Sequence, residues 1–138
     1  MRLLVTFFFC LGVQFTFAQS HVIEMTFTGA SKYPTRVAYE VQNDQGEILR
    51  QGFFQVANAK TIYSVALGVS EKFAVQIYED ANENSKMDRG WFTQPLEKYA
   101  FSNDAWEVLA KPQLKDMLVP KTGEKTRIDF TLKSVTDF

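Results

Sequence analysis

Hydrophobic residues recur at every second position along much of this chain, and that period limits what it can fold into. Ile23, Met25 and Phe27 alternate with Glu24, Thr26 and Thr28, and Val37, Tyr39 and Val41 repeat the arrangement. Phe73, Val75 and Ile77 alternate with Ala74, Gln76 and Tyr78. Successive side chains of a strand point to opposite faces of a sheet, so a period of two predicts strands with one buried face. Residues 46–56, 61–67 and 126–132 read the same way, the last placing Ile128, Phe130 and Leu132 on one face. Between these segments stand NDQG from Asn43, ANAK from Ala57, GVSE from Gly68 and KTGEK from Lys121, rich in residues that tolerate tight backbone geometry. Strands recurring about every 8 to 12 residues with such punctuation predict an all-β sandwich. The one short helical turn expected is over residues 103–110, and no repeat or interdomain linker interrupts the pattern.

Residues 1–18 stand outside that pattern. Arg2 is followed by an apolar stretch over residues 3–17, with Thr16 and Ala18 as small residues at its end, the layout of a cleaved secretory signal peptide. The stretch is shorter than the ~20 residues of a spanning helix, so no stable membrane anchor is expected. Cys10, the single cysteine, would leave with this leader, so disulfide and thiol chemistry are excluded from the mature chain. Lipidation at Cys10 is disfavoured by the bulky Phe7, Phe8 and Phe9 before it. The expectation is an exported protein, periplasmic or secreted, with one domain over residues 19–138. Its 46% apolar content suffices for a real core, and a net charge of -1 supplies no field to draw in nucleic acid.

The sequence argues against catalysis. His21 is the only histidine, it falls next to the new amino terminus, where a solvent-facing position is expected, and no second histidine or cysteine supports a zinc site. Glu79 and Asp80 are adjacent on a strand, so they point to opposite faces and cannot act together across a cleft. Nucleophile elbows, phosphate-cradling loops and dinucleotide fingerprints are absent.

The least regular stretch, residues 80–112, offers two sites. In DANENSKMD the side chains of Asp80, Asn82, Asn84 and Asp88 and the carbonyl of Lys86 fall on the first, third, fifth, ninth and seventh positions of a calcium loop. The twelfth position, where a bidentate Glu closes the shell, is Trp91. Calcium is therefore the candidate cofactor, in a structural role. The competing reading is a plain polar turn, because Asp and Asn bond the backbone two residues on and accept left-handed geometry. The second set is aromatic: Trp91, Phe92, Tyr99, Phe101 and Trp106 either contact a carbohydrate or peptide ligand or plug a long loop with its own apolar core. The unidentified partner would be an extracytoplasmic ligand or protein.

Asp80, Asn82, Asn84, Asp88, Pro95, Tyr99, Phe101, Ser102 and Asn103 together form a pattern that resembles the uncharacterised exported bacterial family called domain of unknown function 2141. The resemblance spans about residues 73–132. Ser85 and Ala100 stand where that pattern carries Gly, and the first matters more because a loop folding back there often needs a positive φ. The resemblance implies a compact immunoglobulin-like or transthyretin-like sandwich and no known activity.

Overall fold

The computed structural model describes residues 20–107 and 110–137. The expected leader over residues 1–18 lies outside them. The described chain is an all-β sandwich of two sheets, as the alternation predicts. In the three-stranded sheet, β1 (His21–Thr28) lies between β4 (Tyr63–Leu67), antiparallel to it, and β8 (Lys125–Thr131), parallel to it. In the second sheet β3 (Ile48–Val56), β2 (Thr35–Asn43), β5 (Lys72–Glu79) and β6 (Tyr99–Phe101) follow in that order. The short β7 (Val119–Pro120) pairs with β5 farther along the same edge as β6.

The inward positions of the two sheets form one core. Ile23, Met25 and Phe27 of β1 face Val37 and Val41 of β2 and Phe73, Val75 and Ile77 of β5, all buried. Phe27 is its hub, stacked on Phe130 at 5.9 Å and tilted against Phe54 and Tyr63. Each large side chain so buried contributes on the order of 1.5–3 kcal/mol. The Asn43 side chain closes the β2–β3 turn, accepting from the amides of Gln45 and Glu47, and Gly46 takes the positive φ of 82° that the turn requires.

Three short elements escape the alternation. β6 has only three residues, and the expected helical turn is instead a 3-10 turn at Ser102–Asp104 in which Asn103 and Asp104 have positive φ. A four-residue helix, α1 (Leu114–Met117), forms farther on and drops Met117 into the core. Ser102 explains this local arrangement. β6 pairs with residues 76–78 of β5 and β7 with residues 72–73, which leaves the Val75 amide between them without a strand partner. The buried Ser102 hydroxyl accepts that amide at 2.9 Å and donates to the Met117 carbonyl, while Asn103 donates to the Asp116 carbonyl. A hydroxyl thus fills the gap between two strands, because an orphaned buried amide is costly. Among the described residues, no helix is long and apolar enough to cross a membrane.

His21 departs from expectation. It opens β1 fully buried, its Nε2 2.8 Å from the Thr126 hydroxyl and its ring tilted against Phe73. Pairing of the two ends of the chain, invisible in local sequence, covers it. Burial, aided by the nearby Lys121, pushes its pKa below the usual 6.5. The fold therefore prefers the neutral ring, a preference that favours stability above about pH 6.5 and is lost as pH falls through that value. The melting temperature is expected to drop between pH 7.5 and 5.5, and His21→Gln should flatten that slope. Thermal melts across the interval check both.

Candidate functional site

Two carboxylates at the end of β5 organise everything around them. Glu79, 2% exposed, turns inward, where its oxygens accept the Ser31 amide at 3.0 Å, the Ser31 hydroxyl at 2.7 Å and the Thr35 hydroxyl at 3.1 Å. It fixes the connection between β1 and β2. Asp80, 0% exposed, turns outward and forms an ion pair with Arg36 through Nε and Nη2. Its Oδ1 also accepts the Asn84 amide and its Oδ2 the Ser85 amide. The two residues point to opposite faces, as strand geometry requires.

Asp80 is therefore the post around which residues 81–88 fold. Glu83 and Ser85 both take positive φ, 57° and 64°. For Ser85 this costs about 1–2 kcal/mol relative to an ordinary conformation, a cost Gly avoids. The serine offers a return, because its hydroxyl accepts Arg36 Nη2 at 2.9 Å. Of the other candidate ligands, Asn82 and Asn84 turn their amide nitrogens on the Asp88 carboxylate, and the Lys86 amide donates to Asn84 Oδ1. Glu97 closes the loop from below by accepting the amides of Ala81 and Asp88. Burial, with the charges of Asp88 and Asp80 beside it, pushes its pKa above the usual carboxylate range. Among the described residues, no group of three or more His, Cys, Asp or Glu is placed to hold a metal ion.

The five aromatic candidates separate into two groups. Tyr99 is buried and stacks on Trp106 at 4.7 Å, with Phe101 edge-on at 5.7 Å. Trp91 and Phe92 are 100% and 88% exposed, at the tip of a hairpin whose stem is the Arg89–Pro95 bridge. That tip is held rigid: the Gly90 amide reaches the Gln94 carbonyl, the Thr93 amide the Gly90 carbonyl, and the Arg89 guanidinium the Thr93 carbonyl.

Between loop and sheet lies a groove of about 740 Å³ on the outer face of the five-stranded sheet. Strand register builds its floor from two cross-strand rows. Phe53, Ala38, Tyr78 and Tyr99 are opposite one another across β3, β2, β5 and β6, and Gln51, Glu40, Gln76 and Phe101 form the next row. The small Ala38 leaves a hollow between Phe53 and Tyr78. Ser85, Met87, Arg89 and Pro95 of the loop and hairpin form the wall. Arg36 ties wall to floor, since its guanidinium lies 4.4 Å over the Phe53 ring while bonded to Asp80. Glu40 Oε1 accepts amides from Gln42 and Gln76. Among the described residues no protein group hydrogen-bonds the Tyr78 hydroxyl or the Gln51 side chain. Burial raises the Tyr78 pKa, with Asp80 and Glu97 adding to the effect. Sequence reasoning brought Tyr99 and Phe101 to this site and missed Glu40, Gln51, Phe53, Gln76 and Tyr78. The available signal was the outward set of the alternating strands.

A family model described as an uncharacterized protein conserved in bacteria, DUF2141, matches residues 33–129, from the end of the β1–β2 connection into β8. No curated protein and no solved structure matches the chain.

The Arg36–Asp80 pair is the element of this site most exposed to mutation. Removing one partner of a buried ion pair strands the other charge, at a cost of about 3–5 kcal/mol. Asp80 keeps two backbone amides, so Arg36→Ala is expected near the lower end, about 3 kcal/mol in urea-induced unfolding. Arg36→Lys should recover only part of that loss, because a point charge cannot reproduce the guanidinium fork.

Proposed function

The chain belongs to DUF2141, a family of uncharacterised bacterial proteins, and from that premise we propose that it is an exported, non-catalytic binding protein. Its site in this reading is the groove on the outer face of the five-stranded sheet. One observation carries the proposal: a concave surface four strands wide sets an aromatic row beside a polar row, with the Tyr78 hydroxyl and Gln51 amide uncommitted to any partner among the described residues. Concave sites with mixed apolar walls and a few convergent polar groups are where ligands bind. A non-catalytic role is supported by the adjacent carboxylates of Glu79 and Asp80, which are divided between two faces, and by the single histidine, which is locked in the core. Leader residues 1–18 support export, and the exposed Trp91 and Phe92 supply a rigid contact surface beyond the groove.

The test is a thermal-shift screen of the mature chain against free saccharides, amino acids and short peptides. A ligand at a hundred times its Kd stabilises by about 2.7 kcal/mol, a readily measured shift. The shift is expected to vanish in Phe53→Ala and Gln76→Ala while their ligand-free melting stays cooperative. A ligand that shifts the variants as much as the parent chain would sink the reading.

The loop of residues 80–88 acts in this proposal as the groove wall, held by Arg36 in place of a cation. What supports this is that both oxygens of Asp80 already accept bonds and the Asn82 and Asn84 nitrogens face Asp88. Calcium would have to turn both amides and compete with the guanidinium. The melting temperature is therefore expected to be equal in millimolar calcium and in chelator. A calcium-dependent rise that Asp80→Ala abolishes would restore the metal site.

A further inference from the structure

Resting on the groove as the binding site, we infer that its ligand is a neutral saccharide, read face-on by side chains. Three observations lead there. The first concerns the backbone under the groove. β2 is hydrogen-bonded to β3 on one side and β5 on the other, and β5 is paired on both sides too. An extended peptide gains its affinity from main-chain bonds to a free sheet edge, and the strands at the centre of this floor offer none. A ligand lying across them meets side chains only.

The second is the chemistry of those side chains. Gln51 and Gln76 are primary amides, each carrying a donor pair and an acceptor, and Glu40 adds a carboxylate between them in the same row. A line of amide, carboxylate and amide can both donate to and accept from neighbouring hydroxyls, which themselves do both. Glu40 and Gln76 are already linked at 2.7 Å, so their orientation is set before a ligand arrives. The adjacent row supplies the rings of Phe53 and Tyr78, broad apolar surfaces suited to the C–H face of a pyranose, with the Tyr78 hydroxyl at its polar tip. Vicinal hydroxyls on one edge and an apolar face on the other describe a sugar ring.

The third is charge. Glu40 sits mid-floor, opposed to any acidic group placed there. Of the cations lining the groove, Arg89 and Lys111, both are solvent-exposed, and Arg89 is bonded to the Thr93 carbonyl. Arg36, the nearest deeper cation, is consumed by Asp80 and Ser85. Among the described residues the two floor rows carry Glu40 and no cation, and Arg89 and Lys111 stand at the solvent-exposed margin, so acidic saccharides are disfavoured.

The test uses affinity electrophoresis of the mature chain through gels containing laminarin, xylan or galactomannan as neutral polymers and alginate as the acidic one, with a casein digest assayed by thermal shift. Retardation by at least one neutral polymer is expected. Tyr78→Phe, which removes only a hydroxyl, should weaken it about tenfold, and Gln76→Ala at least as much. Glu124→Ala, in the exposed turn before β8 and outside the groove lining, serves as the comparison and should retain the groove-dependent binding. Retardation by alginate alone, or a shift by peptides alone, that these groove variants abolish would overturn the neutral saccharide while leaving the groove as the site. Neutral-polymer binding that Tyr78→Phe and Gln76→Ala leave unchanged would overturn both. No retardation by any polymer overturns the saccharide assignment, and the broader ligand screen then decides the groove independently.

Discussion

The ion pair between Arg36 and the fully buried Asp80 is the constraint from which the outer half of this structure follows. A carboxylate removed from water must be met by donors, and here the donors come from two places at once. The guanidinium arrives from β2, and the amides of Asn84 and Ser85 arrive from the loop that Asp80 itself begins. Satisfying one charge therefore bends residues 81–88 back over the sheet. The same guanidinium lies on Phe53 of β3, so strand, loop and groove floor are coupled through one side chain. Glu79 does the equivalent on the other face, where its oxygens gather Ser31 and Thr35 and close the end of the core. One acidic doublet sets both the lid of the sandwich and the wall of the groove.

How much of this could be read from sequence follows the range of the interactions. β1, β2, β5 and β8 were legible because alternation is local, and Ile23, Val41 or Phe130 declares its face by its neighbours alone. β6 was not, because three residues carry no period; it persists because Tyr99 pairs with Lys133 and Ser102 caps Val75. The Ser102 and Asn103 pair was recognisable as part of a family pattern, yet its meaning depends on a gap between β6 and β7 that only the sheet reveals.

The candidate site shows the same division. The polar loop stands out in the sequence, but its spacing is shared by a calcium loop and by a turn wound on a buried carboxylate. Arg36, which holds that carboxylate, lies 44 residues away in sequence. The groove was less legible still. Gln51, Glu40 and Gln76 each read as an ordinary solvent-facing residue of a strand, and they become a row only once register fixes β3 against β2 and β2 against β5. The aromatic cluster was visible as composition; that Trp91 projects while Trp106 lies against Tyr99 is a matter of tertiary packing.

The parallel pairing of β1 with β8 has a consequence for assembly. Val22 to Thr28 align with Lys125 to Thr131, so one whole side of β1 waits for residues a hundred positions later. Until they emerge, only β4 can shield it, and an unpaired strand edge with apolar Ile23, Met25 and Phe27 is the template along which chains stick to one another. Closure is a long-range contact, slow by its loop entropy, and no amino-terminal fragment can supply it. The sandwich is consequently a fold whose two ends must meet before its core is dry, and truncation at the carboxyl end would expose the middle of a sheet.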